Sequence, residues 1–337
     1  MKSIVSRDNI SYRRRASSPI AYSIFVLVAV ALTLVYKLRF DSIFACPATG
    51  YGPDTYLSDC QARGYGDYDH GAFWFNLEQE ALRGAATADV LFLGSSRLQF
   101  GFSGPTTEAW FSGLRVRHYL LGFSHTETTA FVSPLLSKIG PRAKVYVINV
   151  DRFFDDRVSP PAGQILQGSH DRATYRAKRA WQTMHRFVCL RIPIACGNSY
   201  AVFRNRDTGA WRTAGVAPFA AEEVSDGHPE NVERWDQYAA LGDKFISELA
   251  VDRNCVVLTL VPTVATKRVE AMAIAQRLGL DLVAPRLDGL RTFDGSHLDA
   301  ASAQRWSVAF FEEAGPKIRK CLDSGQGPRS WLALHTA

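Results

Sequence analysis

Short buried strands alternate with helices along most of this chain, and this alternation constrains its fold more than any other feature. The residue pattern predicts strands over 89–93, 116–121, 144–150, 255–261 and 280–283. It predicts helices between and after them over 105–113, 126–138, 231–250, 267–278 and 300–314. Strands that alternate with helices form parallel sheets whose two faces are covered by helices. The sequence therefore predicts an α/β fold built on a parallel sheet.

One segment of the chain, residues 155–230, breaks this alternation and is predicted to be an insertion. It contains a basic helix over 172–191, which we interpret as a solvated face or as a surface for an anionic ligand. It also contains a predicted β-hairpin over 201–215 that turns at Asp207-Thr208-Gly209. The two halves of the sheet, before and after the insertion, are expected to share one core.

The N-terminal region predicts a membrane anchor. Residues 19–36 carry no charge over 18 positions, which is about the shortest length that spans a bilayer as a helix. Five basic residues precede this segment and two, Lys37 and Arg39, follow it. The more basic flank stays in the cytoplasm, so the remainder is expected outside a bacterial-type inner membrane, in the periplasm. A cleaved signal peptide is the alternative interpretation.

The predicted organisation follows from these boundaries. In chain order it comprises a cytoplasmic segment (1–18), a single transmembrane helix (19–36), a linker with an aromatic-rich segment (37–88), the α/β domain (89–322) and a tail (323–337). The net charge is +6, and basic residues do not form a dense stripe interleaved with aromatic ones. These properties argue against nucleic acid as a partner.

The six cysteines of the chain suit an oxidising compartment. Cys46 with Cys60 and Cys189 with Cys196 are candidate disulfides because each pair is close in sequence. Cys255 begins a predicted strand and Cys321 follows the last predicted helix. Helices run antiparallel to the strands in doubly wound folds, so these two residues should meet at one edge of the sheet. Free buried thiols are the alternative for each pair.

Polar residues that could carry chemistry follow the predicted strands, at the edge where open parallel sheets bind ligands. They are Gly94, Ser95 and Ser96 after the first strand, Gly122 after the second, Asn149 and Asp151 at the third, and Asp294 and His297 in the last loop. A serine needs a base to take its proton, and a histidine base needs a carboxylate to orient it. Ser96, His297 and Asp294 can supply these three roles.

A developing oxyanion also needs hydrogen-bond donors, each of which lowers the barrier by about 3–4 kcal/mol. The candidates are the backbone N–H groups of Ser96 and Gly122 and the side chain of Asn149. Arg97, His125 and Asp151 lie close to these positions in the sequence and are candidate substrate contacts. The alternative for Arg97 is an ion pair with a carboxylate of the fold, and the alternative for His125 is a loop residue without a substrate role.

The Gly-Ser-Ser motif at 94–96, Gly122, and the Asp294-x-x-His297 motif resemble the SGNH, or GDSL-like, hydrolases. The resemblance covers about 89–151 and 255–315 and is greatest to the membrane-anchored, extracytoplasmic branch that handles acyl groups on envelope polysaccharides. It implies a three-layer α/β/α flavodoxin-like fold. It also implies that Ser96 is the nucleophile, that Asp294 and His297 complete the triad, and that Gly122 is the glycine of the second family block.

The chain departs from the family pattern at two places. Ser95 stands where the family has an aspartate before the nucleophile. The third block, usually Gly-x-Asn-Asp, reads Asn149-Val150-Asp151-Arg152, so Asp151 takes the position of the family's oxyanion-binding asparagine. Whether Asn149 or Asp151 serves this block is left open by the sequence.

These observations predict an extracytoplasmic serine esterase or O-acyltransferase that acts on ester-linked acyl groups, with an envelope or exopolysaccharide carbohydrate as the expected substrate. No metal or organic cofactor is expected. The membrane and other proteins of envelope polysaccharide synthesis are the expected partners. The alternatives are a catalytically inactive glycan-binding or scaffold protein, and a hydrolase of lipids or small esters.

Overall fold

The structure is a computed structural model that describes residues 19–216, 220–227 and 232–324. Its helices are α1 (Pro19–Asp41), α2 (Asp69–Trp74), α3 (Gln79–Thr87), α4 (Ser96–Gly101), α5 (Gly104–Leu114), α6 (Thr129–Ile139), α7 (Pro160–Leu166), α8 (Arg172–Arg191), α9 (Trp235–Ser247), α10 (Arg268–Leu278) and α11 (Ala300–Asp323). Its strands are β1 (Thr55–Cys60), β2 (Gly66–Asp67), β3 (Val90–Ser95), β4 (His118–Phe123), β5 (Val145–Asn149), β6 (Ala201–Asn205), β7 (Trp211–Ala214), β8 (Glu222–Glu223), β9 (Val256–Thr259), β10 (Leu282–Val283) and β11 (Arg291–Thr292). The predicted cytoplasmic segment 1–18 and residues 325–337 of the predicted tail lie outside the described residues.

Five parallel strands form the central sheet, in the order β10-β9-β5-β3-β4. Every residue of β3, β4, β5 and β9 is buried, which explains why these strands read as continuous apolar runs in the sequence. The chain moves from β3 outward to β4, then returns to the other side of β3 with β5. The resulting switch point, between β3 and β5, is where sheets of this type bind ligands. The predicted α/β class and its parallel sheet are confirmed.

Helices cover both faces of this sheet. On one face α5 and α11 pack against it, with buried side chains that include Phe111 and Phe310. On the other face α3, α6, α9 and α10 do so, with buried side chains that include Phe131 and Phe245. Burial of each such ring contributes about 1.5–3 kcal/mol, so the two clusters hold the strands and their carboxyl-end loops in fixed positions.

A second sheet, antiparallel and ordered β2-β1-β6-β7, joins two segments that the sequence analysis placed outside the core. The predicted hairpin is confirmed as β6 and β7, and its turn approaches β4 so closely that a Cβ atom on Gly209 would lie 2.4 Å from the carbonyl oxygen of Leu120. Residues 37–88 were predicted as a linker followed by an aromatic-rich segment; within them β1 pairs with β6, and side chains such as Ile43 and Leu57 are buried. Because β1 and β6 are about 145 residues apart in the chain, their pairing produces no local pattern in the sequence.

One of the predicted helices has the bounds expected from the sequence, and another is longer than expected. The basic helix predicted over 172–191 is α8, with those same bounds. The last helix was predicted to end at residue 314, but α11 continues through Pro316 to Asp323. Proline removes one backbone donor, yet Ile318 and Cys321 beyond it are buried against the sheet, and this packing keeps the helix going.

All three predicted disulfides are present: Cys46–Cys60, Cys189–Cys196 and Cys255–Cys321. Cys255 directly precedes β9, and Cys321 lies in the last turn of α11 rather than after the helix. The third disulfide therefore joins α11 to the amino end of the sheet, at the edge opposite the switch point.

Helix α1 contains the uncharged segment predicted to span a membrane. It is 23 residues long, the side chains of residues 19–37 are exposed, and it is long and apolar enough to cross a bilayer. Its length of roughly 35 Å compares with a hydrocarbon core of about 30 Å. The helix extends beyond the predicted end at residue 36, through Lys37 and Arg39, to Asp41.

Candidate active site

Ser96 lies at the carboxyl end of β3, where the strand passes directly into α4 at the switch point. The buried Ser95 caps α4, since its Oγ accepts a hydrogen bond from the backbone N–H of Arg97 at 3.3 Å. At Gly94 a Cβ atom would lie only 3.0 Å from the Cβ of Leu98, so glycine permits this tight turn. The glycine and the serine cap therefore place Ser96 at the edge of the sheet where the parallel strands end.

His297 and Asp294 reach Ser96 from the loop between β11 and α11. The Nε2 atom of His297 lies 2.8 Å from the Oγ of Ser96, and its Nδ1 lies 2.6 Å from the Oδ2 of Asp294. The other carboxylate oxygen of Asp294 accepts backbone N–H groups of Ser296 and His297 at 2.9 and 2.8 Å. The three predicted triad residues are therefore brought together across 201 positions of sequence.

The charge on Asp294 fixes the tautomer of the histidine. Burial raises the pKa of Asp294, but the hydrogen bond and charge of His297 and the two backbone N–H groups outweigh it, so the pKa is lowered. An ionised carboxylate can only accept hydrogen bonds, so the Nδ1 of His297 donates to it. The Nε2 atom is then free to accept the hydroxyl proton of Ser96, as a general base requires.

Two phenylalanines hold the imidazole ring of His297 in place. Phe100, one turn after Ser96, has its ring centre 4.8 Å from that of His297. Phe293 stacks on the same imidazole at 5.6 Å and an interplanar angle of 19°, and its ring centre lies 5.2 Å from that of Phe100. The sequence analysis did not identify either residue, although Phe100 follows Ser96 at helical spacing and Phe293 directly precedes Asp294.

A half-open cavity of about 430 Å³ adjoins the triad. Its wall includes Ser96 and His297, together with residues from the loop after β4 and from the 152–160 segment after β5. Of the predicted substrate contacts, Arg97 and His125 line this cavity. Arg152 and Arg157, which the sequence analysis did not single out, line it too and make it basic.

Arg97 connects the start of α4, next to Ser96, to the loop that carries His297. Its guanidinium forms an ion pair with the buried carboxylate of Asp151, and its Nε donates to the Oγ of Ser296 at 3.1 Å. Asp151 does not line the cavity. The charge of Asp151, which the sequence analysis compared with the asparagine of the SGNH pattern, is therefore compensated by Arg97.

The structure does not bring all three predicted oxyanion donors to the cavity. Gly122 lies inside β4 rather than after it, and a Cβ atom there would lie 2.6 Å from the carbonyl oxygen of Ser95. Asn149 is buried, its Oδ1 accepts the backbone N–H of Val261 at 3.0 Å, and its Nδ2 has no partner among the described residues. Neither residue lines the cavity, whereas Ser96 does. The parallel register, which pairs Gly94 with Gly122, places the latter one residue before the strand ends.

A buried network lies behind the cavity wall and is centred on His70. Its Nδ1 lies 3.0 Å from Asp67 and its Nε2 lies 2.7 Å from Glu127. Glu127 also accepts a hydrogen bond from the Oγ of Ser159 at 2.6 Å, and Ser159 and Thr128 line the cavity. The network thus fixes both cavity loops to the segment that carries α2.

The charge of His70 makes the stability of the protein depend on pH. Burial lowers the pKa of His70, but Asp67 and Glu127 outweigh it and raise the pKa to about 10. The unfolded pKa is about 6.5, so between pH 6.5 and 10 the folded state holds one more proton. We expect this contribution to be complete below pH 6.5 and to be lost as pH rises to 10, at up to about 1.4 kcal/mol per pH unit. Urea unfolding of the chain and of His70→Gln across this range measures the difference.

The matched control for this prediction is another buried histidine. Burial lowers the pKa of His118 to about 4, so this residue is neutral throughout the same range. We expect His118→Gln to keep the alkaline loss of stability that His70→Gln removes. An equal slope in the chain and in His70→Gln would contradict the assignment.

Comparisons with protein-family models, with curated proteins and with solved structures gave no match to this chain.

Proposed function

We propose that this chain is a membrane-anchored, extracytoplasmic serine esterase or O-acyltransferase with an SGNH-like fold. The observation that carries the proposal is the continuous hydrogen-bonded series Asp294–His297–Ser96 at the switch point of the parallel sheet. Each residue meets the requirement of its role: an ionised carboxylate, an oriented imidazole and a hydroxyl that this imidazole can deprotonate. Position in the sheet, order in the chain and distances all agree with the family that the motifs resemble.

In the proposed reaction the Oγ of Ser96 attacks the carbonyl carbon of an ester while the Nε2 of His297 takes the hydroxyl proton. The carbonyl oxygen becomes negative, and we expect the backbone N–H of Ser96 to bind it. The carbon–oxygen bond of the ester then breaks, and His297 returns the proton to the departing alkoxide. Water or a sugar hydroxyl next gives its proton to His297 and attacks the acyl-Ser96. The bond between the acyl carbon and Oγ then breaks, the acid or the new ester leaves, and His297 returns the proton to Ser96.

The cavity favours a polar, negatively charged substrate over a lipid. Its wall carries Arg97, Arg152 and Arg157, of which Arg97 pairs with Asp151 and Arg157 with Asp155, and hydroxyl side chains make up much of the remainder. Guanidinium groups bind carboxylates and phosphates in a bidentate manner. An acylated carbohydrate with acidic groups fits this lining, which supports the proposed role in an envelope polysaccharide system.

The proposed location follows from α1 and the disulfides. A helix of this length and composition near the N-terminus suits a bilayer span, and three disulfides suit an oxidising compartment. The basic residues that precede residue 19 favour a cytoplasmic N-terminus, with the α/β domain in the periplasm. Other proteins of envelope polysaccharide synthesis remain the proposed partners.

Covalent labelling tests the proposed function without knowledge of the substrate. The full chain in detergent is treated with a fluorophosphonate, and its intact mass is measured beside Ser96→Ala and His297→Ala. We expect one adduct on the wild-type chain and none on either variant, because the serine reacts only when the histidine takes its proton. A folded wild-type chain that forms no adduct, or that keeps the adduct in Ser96→Ala, would contradict the proposal.

One observation favours a second candidate function, a glycan-binding or scaffold protein without activity. Gly122 and Asn149 do not line the cavity, so the Ser96 backbone N–H lacks the two further donors that an efficient oxyanion hole uses. Absence of the adduct together with binding of an acidic polysaccharide would favour this candidate. For the third candidate, a lipid or small-ester hydrolase, release of fatty acid rather than of a short acyl group from envelope material is the distinguishing result.

A further inference from the structure

The second half of α8 carries an apolar surface that the domain does not cover. Trp181, Met184, Phe187 and Leu190 recur every third residue and form an oblique ridge on the helix. Ile192 and Ile194 continue the ridge into the turn that follows, and these six side chains are between 43% and 77% exposed. Outside α1, they are six of the thirteen exposed large apolar side chains in the described part of the chain, and they fall within 14 residues. We call this surface the α8 ridge.

The opposite side of α8 holds the helix rigidly on the domain. Tyr175, Gln182, His185 and Cys189 are buried there. The side chain of Gln182 exchanges hydrogen bonds with the backbone of Leu57, and the Nε2 of His185 lies 2.9 Å from the carbonyl oxygen of Cys46. The ridge is therefore the outer side of a helix that is already packed, and the domain does not need it for its own core.

The α8 ridge ends beside the C-terminal end of α1. The disulfide Cys189–Cys196 closes the turn that carries Ile192 and Ile194. Arg39, in the last turn of α1, donates from its Nη1 to the carbonyl oxygen of Ile194 at 2.9 Å. The turn is thus fixed to the point at which the proposed membrane helix ends, where the lipid surface must lie if α1 spans the bilayer.

The charges around the ridge match an anionic lipid surface. Helix α8 contains six basic residues and no acidic residue. Arg172, Arg176, Arg179 and Arg191 are exposed, and the guanidinium of Arg191 lies 3.9 Å from the ring centre of Phe187. Apolar side chains flanked by arginines are typical of helices that lie in the plane of a membrane interface, and each nearby arginine adds attraction to anionic headgroups.

We propose that the α8 ridge is a second membrane contact, which lies at the headgroup–acyl boundary of the outer leaflet of the membrane that α1 spans. Together with α1 it would hold the domain in one orientation on the bilayer instead of on a free tether. The occupant is lipid rather than a protein because the ridge is continuous with the end of the membrane helix. This proposal rests on the proposed anchoring by α1.

Photolabelling by lipid tests the proposal on the full chain. The protein is placed in nanodiscs of phosphatidylcholine and phosphatidylglycerol that contain a trace of phospholipid with a diazirine on its acyl chain. After illumination, acyl adducts are mapped by peptide mass spectrometry. We expect adducts in α1 and in the peptide with residues 181–194, and only background in the α10 peptide, where Val269 and Met272 are comparably exposed.

Matched variants separate the ridge from the anchor. Phe187→Glu/Leu190→Glu should lower labelling of the 181–194 peptide severalfold and leave that of α1 unchanged, whereas Met272→Glu should change neither. Because these side chains are exposed, all variants should fold, which their three disulfides and unfolding midpoints will show. Labelling confined to α1 would overturn the ridge proposal and leave the anchor intact. A chain that is labelled in neither segment would overturn both, and fluorophosphonate reactivity of the same sample reports on the proposed enzyme independently.

Discussion

Replacement of Ser96 by alanine is expected to lower kcat for hydrolysis of p-nitrophenyl acetate by about 10⁶-fold, whereas replacement of Ser95 should leave most of the activity. Ser96 is the hydroxyl within 2.8 Å of the histidine base. Ser95 is its immediate neighbour, but its Oγ accepts the backbone N–H of Arg97. Ser95→Ala therefore removes a helix cap, which costs about 1 kcal/mol of stability, and leaves the nucleophile in place.

This pair of variants tests the assignment more sharply than either does alone. Both changes remove one hydroxyl from adjacent residues of the same turn, so a general disturbance of the β3–α4 junction would affect them alike. Initial rates with purified full chain, each corrected by the rate of spontaneous hydrolysis without protein, give the two ratios. A larger loss in Ser95→Ala than in Ser96→Ala would place the nucleophile at residue 95 and would also contradict the resemblance on which the numbering of the triad rests.

The sequence was sufficient for the parts of the fold that local patterns encode. Buried strands such as β3 and β5 are continuous apolar runs, because both of their faces are covered by helices. The edge at which the polar residues meet follows from parallel topology alone. That is why Ser96 and His297 could be paired across 201 positions, and why the Cys255–Cys321 disulfide could be placed from the direction of a helix relative to a strand.

What the sequence could not supply depends on contacts between distant segments. The pairing of β1 with β6 joins a predicted linker to a predicted insertion, and neither segment has a partner that periodicity could identify. The place of Gly122 depends on the register between β3 and β4, and one residue decides whether its N–H faces the cavity or stays in the strand. The sequence likewise could not decide whether Arg97 contacts a substrate or pairs with a carboxylate of the fold, which in the structure is Asp151.

A buried ion pair that joins the antiparallel sheet to α2 leads to the largest expected effect on the free energy of unfolding. Arg204 of β6 and Asp69 of α2 are both fully buried, with the Nε and Nη2 of the arginine 2.9 and 2.6 Å from one carboxylate oxygen. The same guanidinium donates to backbone carbonyl groups of β4, at Leu120 and Gly122. One side chain therefore links the antiparallel sheet, α2 and the strand next to the nucleophile.

Arg204→Met is expected to lower the free energy of unfolding by about 3–5 kcal/mol, because it leaves the carboxylate of Asp69 buried without its counter-charge. The carbonyl groups of Leu120 and Gly122 in β4 would also lose this donor, although the side-chain amide of Gln99 still donates to both. Denaturation by urea, with disulfides intact, measures the change. The control is Arg277→Met, which removes the arginine of an exposed ion pair with Asp236 and should cost several times less.

The double variant Asp69→Asn/Arg204→Met identifies the cause of this loss. It removes both charges and keeps an acceptor for the hydroxyl of Tyr56, which donates to Asp69 at 2.5 Å, while the carbonyl groups of Leu120, Gly122 and Gly209 lose the guanidinium as a donor. If the uncompensated charge dominates, the double variant should be more stable than Arg204→Met, since neither ion of this pair then remains buried. If instead the two are equally unstable, the lost donors to β4 dominate. Arg204 would then act chiefly as the clamp that holds Gly122 and the end of its strand in position beside the candidate site.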